Sequence, residues 1–282
     1  MTIREAIEKG FIKLKVKNIE SPKFKARQLM QFILNKPRQY LIVYDEKELT
    51  KLQEEKYFKS IEKLIKGIPL QHITHGQEFM KMNFYVNENV LIPRPETESL
   101  VEEVINISKK INAKKILDLC TGSGAIAVST AKYIDKSQIT ATDISKEALE
   151  IAKKNAKKNN VENQIKFLQS DLFKNIPNEK YDIIVSNPPY IKRDIIKTLD
   201  KQVQNEPIIA LDGGWDGLDF YRKIIDKAYE FLKYKGYLCL EIGYDQKEDV
   251  IDIIKQKGVY IDAYSKKDLY GKDRIVIAKV GD

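Results

Sequence analysis

The chain has 282 residues, 43% of them hydrophobic, which allows one large domain and a smaller one, each with its own core. It contains no apolar run long enough to span a membrane, and its first ten residues are too charged for a secretory signal, so we expect a cytoplasmic protein that has no membrane contact. The net charge of +8 favours an acidic or ribosome-associated partner. Only seven of the 49 basic residues are arginine, and 41 acids are interleaved with the basic residues, so we expect no specific binding of nucleic acid. Cys120 and Cys239 lie in apolar, strand-like runs, as reduced buried thiols do.

Residues 1–75 are predicted to form a small helical domain. Ser21 before Pro22 is typical of a helix cap followed by proline at the first helical position. Apolar residues then recur at helical spacing over 45–66, and Gly67 is a typical helix end. No catalytic constellation occurs in this segment, so we expect it to pack or to dock a substrate.

Residues 76–95 are predicted to form a β-hairpin and a linker. Apolar and polar residues alternate over 79–86, and the polar stretch 87–89 separates them from the apolar stretch 90–92, which suggests two paired strands. Pro93-Arg94-Pro95 then forms a stiff connection to a helix that runs from about Thr97 to Ile111.

Residues 96–282 alternate between strands and helices, which predicts an α/β domain with a parallel, Rossmann-like sheet covered on both faces. The predicted strands are 116–120, 138–143, 165–170, 181–186, 237–242, 259–264 and 274–280. The connection between the last two is too short for a helical crossover, so these two strands should pair antiparallel. The prediction is therefore a seven-stranded sheet with six parallel strands and an antiparallel last strand.

Glycines follow the first predicted strand of this domain and open a helix. Gly122 and Gly124 allow the backbone to approach a ligand and present N–H groups to it. Asp143 closes the second strand 19 residues after Gly124, where a carboxylate can accept hydrogen bonds from a ribose. Asp171 ends the third strand, next to the apolar Leu172 and Phe173.

In an open α/β sheet these strand ends share one edge, where ligands bind. The pattern fits a dinucleotide or S-adenosylmethionine. Asp118 before the glycines and the antiparallel end of the sheet favour S-adenosylmethionine.

The tetrapeptide Asn187-Pro188-Pro189-Tyr190 ends the fourth predicted strand. The asparagine side-chain oxygen can accept one N–H of a planar NH2 group, and the Pro188 carbonyl, held in one direction by two successive prolines, can accept the other. Tyr190 offers a flat face for stacking. Asn-Pro also commonly starts a turn, so these four residues alone do not decide between a turn and a site.

With this tetrapeptide the chain resembles the class I S-adenosylmethionine-dependent methyltransferases that act on a planar amino nitrogen. Four further segments are similar to the HemK/PrmC family of peptide-chain release factor glutamine methyltransferases. They are 90–98 with Ile92-Pro93-Arg94-Pro95-Glu96-Thr97-Glu98, 206–218 with Asp212-Gly213-Gly214-Trp215-Asp216-Gly217, and the C-terminal Leu240-Glu241-Ile242-Gly243 and Gly271-Lys272-Asp273-Arg274. The resemblance covers residues from about 67 to the end, and the N-terminal helices match in general character.

The resemblance implies methylation of the glutamine side-chain amide in the Gly-Gly-Gln motif of class 1 release factors by a monomeric enzyme, with S-adenosyl-L-homocysteine as the product. The strand ends and the motifs together predict these donor-binding residues: Cys120, Thr121, Gly122, Ser123, Gly124, Asp143, Asp171, Leu172 and Asn187. Asn187, Pro188 and Tyr190 are the predicted catalytic residues, and Pro189, Phe79 and Arg94 are predicted to help bind the substrate.

The chain departs from the family pattern at three positions. Cys120 stands where glycine is common, Leu172 where an aromatic residue is frequent and His72 where tyrosine is usual. Cysteine is small enough for donor binding to survive, whereas Leu172 could weaken adenine packing. His72 is expected to be structural, and no metal-ligand cluster or dedicated general base is expected.

Three alternatives remain open at this point. Glutamine methylation of a ribosomal protein would use identical site chemistry. Adenine-N6 methylation of a nucleic acid would use the same tetrapeptide but would need base flipping and an arginine-bearing recognition region. A non-catalytic binding module is disfavoured by the presence of Gly122, Gly124, Asp143 and Asn187.

Overall fold

The computed structural model describes residues 1–281. The chain divides into two compact units. The N-terminal unit contains Met1–Gly76 together with Asp200–Asn205, and the sheet unit contains Gln77–Leu199 and the residues from Glu206 onward. Residues 200–205 were predicted to belong to the larger domain. The structure groups this segment with the N-terminal helices, where Asn205 Nδ2 donates to the carbonyl of Gly67 at 3.2 Å.

The N-terminal unit is helical, as predicted. Its helices are α1 (Ile3–Val16), α2 (Pro22–Leu34), α3 (Arg38–Val43), α4 (Lys51–Ile65), α5 (Leu70–Thr74) and the short α9 (Lys201–Gln204). Thr2 and Thr50 cap α1 and α4 by accepting backbone N–H groups three residues on. Ser21 is the N-cap residue of α2 and Pro22 begins the helix, as expected, although Ser21 has a left-handed backbone and its side chain makes no cap hydrogen bond. Buried apolar side chains form a separate core here, including Leu14, Leu29 and Ile61.

The hairpin differs from the prediction. Strands β1 (Gln77–Phe79) and β2 (Met82–Phe84) pair around a two-residue turn, Met80-Lys81, in which both residues have positive φ, as this tightest hairpin turn requires. The expected pairing across 87–89 is wrong. Val90 and Ile92 belong to no strand and are instead buried in a small apolar cluster with Ala148 and Ile151 of the helix Lys146–Lys158.

The sheet unit carries one seven-stranded sheet, and the predicted fold class is confirmed. The strands are β3 (Lys115–Leu119), β4 (Gln138–Asp143), β5 (Ile165–Gln169), β6 (Tyr181–Ser186), β7 (Leu232–Glu241), β8 (Tyr260–Lys267) and β9 (Asp273–Val280). Their spatial order is β5-β4-β3-β6-β7-β9-β8. Strand β9 pairs antiparallel with both β7 and β8, and the short connection between β8 and β9 requires the second of these pairings. The neighbouring strands from β5 to β7 are all parallel.

Helices cover both faces of this sheet. They are α6 (Pro95–Ile111), α7 (Ala125–Tyr133), α8 (Lys146–Lys158), α10 (Asp219–Ala228) and α11 (Lys247–Lys257). One apolar core lies beneath α6 and α7, and the other beneath α10 and α11. Within residues 1–281, no helix is long and apolar enough to cross a membrane.

The strand register places the sites that follow. Leu119 at the end of β3 lies beside Thr142 of β4 and Ser186 of β6. Because these strands are parallel, the residues after each of them emerge side by side at the carboxyl edge of the sheet. The glycine turn, Asp143 and the tetrapeptide are therefore brought together.

Candidate active site

A cavity opens at this carboxyl edge and is built entirely from the sheet unit. Its volume is about 1020 Å³ including its open mouth. The residues around it are Asn89, Val90, Leu91, Cys120, Gly122, Asp143, Ile144, Ser145, Ala148, Ser170, Asp171, Leu172, Asn187, Pro189, Pro207, Ile209, Ala210, Phe220 and Lys223. Most of this lining is apolar, and a few polar groups converge on it, as in small-molecule sites.

Asp143 ties the glycine turn to the start of the next helix. Its Oδ2 accepts the Gly122 N–H at 2.9 Å, and its Oδ1 accepts the Ser145 N–H at 2.9 Å. Burial raises the pKa of this carboxyl, and the two N–H donors oppose that rise. Each oxygen keeps a further lone pair, so the carboxylate can still accept hydrogen bonds from ligand hydroxyls.

Gly122 leaves room for a ligand. A Cβ built on this residue would meet no atom within 4 Å, and its φ of +52° is one that glycine adopts without strain. The backbone is thus open to the cavity beside the Asp143 carboxylate. An open backbone beside a carboxylate can accommodate the ribose of a nucleoside-type ligand and the chain attached to that ribose.

Three predicted donor-binding residues of the same turn do not line the cavity. The Thr121 hydroxyl donates to the buried Asp118 carboxylate at 2.6 Å, and the Ser123 carbonyl accepts the side chain of Asn155 at 2.9 Å. A Cβ on Gly124 would lie 3.0 Å from the Cβ of a helix α8 alanine, so this glycine permits close helix packing. These three residues hold the glycine turn against the sheet and helix α8, on the side away from the cavity.

The end of β5 supplies an apolar wall. Leu172 and the exposed Asp171 line the cavity, as predicted, together with Ile144. Phe173, the apolar residue after Leu172, does not line the cavity and stacks on Phe231 with ring centroids 4.9 Å apart. The part of the apolar wall that the end of β5 supplies is therefore aliphatic.

Asn187 faces the cavity with its amide already half engaged. Its Nδ2 donates to the Thr97 hydroxyl at 3.3 Å, so Oδ1 is the atom left to accept a hydrogen bond. Within residues 1–281 the Pro188 carbonyl receives no hydrogen bond from the protein. Pro188 is itself buried, while Pro189 lines the cavity. The strand end thus presents two acceptors, one from a side chain and one from the backbone.

Tyr190 is turned away from the cavity. Its hydroxyl donates to Glu241 Oε1 at 3.4 Å, and its carbonyl accepts Gln246 Nε2 at 3.0 Å. Burial raises the pKa of the phenol far above its usual value, so Tyr190 remains a neutral donor. In this structure it anchors the segment 187–190, the arm that follows β6, and its ring does not line the cavity as a stacking face would.

The 206–218 loop packs directly on this arm. A Cβ on Gly213 would lie 2.6 Å from the Cα of Tyr190, and a Cβ on Gly217 would lie 2.5 Å from its carbonyl oxygen. Ile191 N–H also donates to the Leu211 carbonyl at 3.0 Å. The glycines of this motif therefore let two backbone segments touch.

Arg94 and Phe79 lie outside the cavity lining. Arg94 pairs with the buried Glu206, whose other oxygen accepts the Ile92 N–H at 2.9 Å. The pair ties the linker to the start of the 206–218 loop. Phe79 is a core residue, 1% exposed and in edge contact with Phe84.

Several residues that line the cavity were not predicted from the sequence. Leu91 was expected in a strand, and Phe220 and Lys223 lie one turn apart on α10 with nothing in their local pattern to mark them. Thr97 and Glu241 do not line the cavity but contact Asn187 and Tyr190, and the sequence motifs that contain them indicate no role for either.

Comparison with known proteins agrees with this geometry. Residues 97–205 match the family described as Methyltransferase small domain, and residues 5–74 match the PrmC N-terminal domain. A release factor glutamine methyltransferase from Clostridium acetobutylicum is 40% identical over 100% of this chain and 99% of its own, and one from Clostridium botulinum is 38% identical over 99% of each. The chain belongs to the release factor glutamine methyltransferase family. A crystal structure of a Pyrococcus furiosus methyltransferase, 19% identical, covers 83% of this chain and 100% of its own with a TM-score of 0.51, which shows the shared fold.

At the three positions that depart from the family pattern, the structure shows a left-handed backbone at two and a buried side chain at the third. Cys120 has a φ of +59°, a left-handed backbone that glycine adopts more easily than other residues. Leu172 likewise has a φ of +47°. His72 is buried in α5 of the N-terminal unit.

Proposed function

We propose that this protein methylates the side-chain amide nitrogen of the glutamine in the Gly-Gly-Gln motif of class 1 release factors, with S-adenosylmethionine as methyl donor. The observation that carries the proposal is the pair of acceptors at the end of β6. Among residues 1–281 neither Asn187 Oδ1 nor the Pro188 carbonyl has a protein donor, and Asn187 lies at the edge of a cavity whose other end suits a nucleoside. The names of the relatives support the same substrate.

Gly122, Asp143 and Leu172 would hold the donor. Asp143 would accept hydrogen bonds from ribose hydroxyls, and Leu172 with Ile144 would cover the base. When bound there, S-adenosylmethionine supplies an electrophilic methyl group.

The chain's own contribution is orientation of a weak nucleophile. An amide nitrogen has its lone pair delocalised into the carbonyl, so it reacts poorly unless it is held in line. Asn187 Oδ1 and the Pro188 carbonyl would accept its two N–H groups and fix its plane. Such orientation can lower a barrier by on the order of 7 kcal/mol. The same acceptors stabilise positive charge that builds on the nitrogen.

A labelled-methyl assay tests the proposal. Intact release factor, the same factor with its target glutamine replaced by alanine, a ribosomal protein and duplex DNA are offered in parallel. We expect incorporation only into the intact factor, and a loss in kcat of about 100-fold or more in Asn187→Ala, in line with the loss of one preorganised polar group. The exposed Asn163→Ala is the matched control and should behave as the unaltered protein.

Two results would overturn the proposal. Incorporation into the ribosomal protein or DNA in place of the release factor would reject the substrate. Full transfer by Asn187→Ala would reject the acceptor role. Binding of S-adenosylhomocysteine, measured by calorimetry, separates a donor-site defect from a defect in the acceptor half.

A further inference from the structure

An exposed indole stands beside the arm. Trp215, the only tryptophan of the chain, lies in the 206–218 loop and is 83% exposed. Tryptophan side chains are on average highly buried in folded proteins, because they carry a large apolar area. A tryptophan that is exposed to this extent contributes little to the core, so a reason for it has to be sought outside the fold.

The backbone on both sides of Trp215 is fixed. The Gly214 carbonyl accepts the Arg193 N–H at 2.9 Å. On the other side, Asp216 Oδ1 accepts the Leu218 N–H at 3.1 Å. The indole therefore projects from a loop that is already ordered. An aromatic side chain on an ordered backbone loses little conformational entropy when a partner covers it.

The acids that flank Trp215 are already in ion pairs. Asp212 Oδ2 lies 2.9 Å from Nε of Arg193, and Asp216 pairs with Arg222. Because these charges are neutralised within the protein, the indole is the group that this part of the loop offers to a partner. The surface that complements it is apolar.

The loop that carries Trp215 reaches both the cavity and the arm. Ile209 lines the cavity, and Gly217, two residues after Trp215, packs against the Tyr190 carbonyl. Tyr190 follows Asn187 by three residues, and three residues of chain span at most about 11 Å. Trp215 thus lies within the area around Asn187 that a standard protein interface of about 800 Å² per partner covers.

We propose that Trp215 binds an apolar patch on the folded body of the substrate protein, beside the loop that carries the target glutamine. The inference rests on the proposed function, since a glutamine that reaches Asn187 brings the domain that carries it against the mouth of the cavity. Tryptophan is among the residues that most often carry the binding free energy of a protein interface. Trp215 is therefore a specificity-determining residue that favours the intact protein substrate.

Trp215→Ala should weaken substrate binding and leave the transfer step unchanged. The side chain does not line the cavity, and its exposure means that its truncation leaves the fold intact. We expect KM for intact release factor to rise about tenfold or more, as on loss of an interface hot spot. Both kcat and the affinity for S-adenosylhomocysteine should stay within about twofold. Trp215→Phe keeps a large apolar ring and should raise KM less.

Tyr234→Ala is the matched control. Tyr234 is another exposed aromatic residue, with 60% of its side chain accessible, but it lies near the start of β7, at the edge of the sheet opposite the cavity. Its loss should leave KM and kcat for release factor unchanged. Equal KM in Trp215→Ala and Tyr234→Ala would overturn the inference.

Fluorotryptophan gives an independent readout. The chain has one tryptophan, so its replacement by fluorotryptophan yields a single fluorine resonance, and unlabelled release factor adds none. We expect this resonance to shift when release factor is added to the protein with S-adenosylhomocysteine bound. A resonance that release factor does not move would contradict the proposal. A shift seen only at raised protein concentration would assign the indole to a second copy of this chain, and one seen only with an RNA oligonucleotide would assign it to base stacking; either would also overturn the proposal.

The same assays separate this inference from the function on which it rests. If release factor receives no methyl group from the unaltered protein, the proposed function fails. If the unaltered protein and Trp215→Ala both methylate release factor with the same KM, the proposed function stands and only the docking role of Trp215 fails.

Discussion

Replacement of Gly217 by alanine should move the arm, to which the proposed function assigns the substrate amide, without disturbing the cavity around Gly122 and Asp143. The new Cβ would lie 2.5 Å from the Tyr190 carbonyl oxygen and 2.6 Å from Gln246 Nε2, the group that holds this carbonyl. Real Cβ contacts are essentially never under 3.0 Å, so the arm and the loop must separate by about half an ångström or more. Displacement of reacting groups by about 1 Å can cost on the order of 100-fold in rate, so we expect kcat to fall by about ten- to 100-fold.

Gly258→Ala is the matched control. Gly258 at the end of α11 has a φ of +71°, close to the +78° of Gly217, but a Cβ there would meet no atom within 4 Å. The left-handed backbone costs an alanine about 1–2 kcal/mol in either variant. Both should therefore lose similar stability from strain, and only Gly217→Ala should also lose rate.

Three measurements on both variants check this reasoning. Urea unfolding gives the loss of stability, a labelled-methyl assay on release factor gives kcat, and calorimetry gives the affinity for S-adenosylhomocysteine. We expect donor affinity to be unchanged in both, since neither residue lines the cavity. Equal kcat in Gly217→Ala and Gly258→Ala would refute the role assigned to the contact between the loop and the arm.

The remaining predictions concern the donor turn and the buried acids. Asn155→Ala removes three hydrogen bonds from a fully buried side chain to backbone groups of the turn and of Tyr85, and should lower the unfolding free energy by about 3 kcal/mol in urea titrations. Asp143→Asn replaces one acceptor of a backbone N–H by a donor, so S-adenosylhomocysteine affinity should fall about tenfold in calorimetry while kcat at saturating donor changes little. Burial raises the pKa of Asp118 from 3.8 to about 7, and that of Glu241 from 4.5 to about 7. Between about pH 4 and 7 the folded protein thus holds protons that the unfolded chain has lost, so the unfolding free energy should fall as pH rises through this range. Asp118→Asn should reduce the total fall over this range by up to about 4 kcal/mol, measured by urea titrations at each pH.

The alternation of strands and helices made the sheet unit predictable, because the central strands β3, β4 and β6 are buried runs and helices such as α6 and α8 are amphipathic. The antiparallel last pair was predictable for a geometric reason, since a connection as short as 268–272 cannot cross over a sheet. The hairpin was not. Its tight turn uses Met80 and Lys81 at positive φ, where glycine or asparagine is the usual signal, and this composition hides the turn.

The site was predictable in part, for the same reason that the sheet was. Residues that directly end parallel strands, such as Asp143 and Asn187, must emerge at one edge, and both line the cavity. Within a motif, however, the sequence does not reveal which side chains turn inward. Thr121 lies next to Gly122 but donates to Asp118 beneath the turn. Contacts between distant segments, such as Asn187 with Thr97 90 residues before it, have no local pattern at all.

The donor half and the acceptor half of the site are held by different parts of the sheet unit. Asp143 fixes the glycine turn through backbone N–H groups of its own neighbourhood. The arm is instead fixed from outside, by Gln246 on the Tyr190 carbonyl, by Glu241 on the Tyr190 hydroxyl and by the glycines of the 206–218 loop. Because these two sets of supports share no hydrogen bond, a change in one should leave the other in place. Substitutions among the residues that hold the arm should therefore lower kcat and leave donor affinity constant. Substitutions among the residues that hold the glycine turn should lower donor affinity and leave kcat at saturating donor nearly constant.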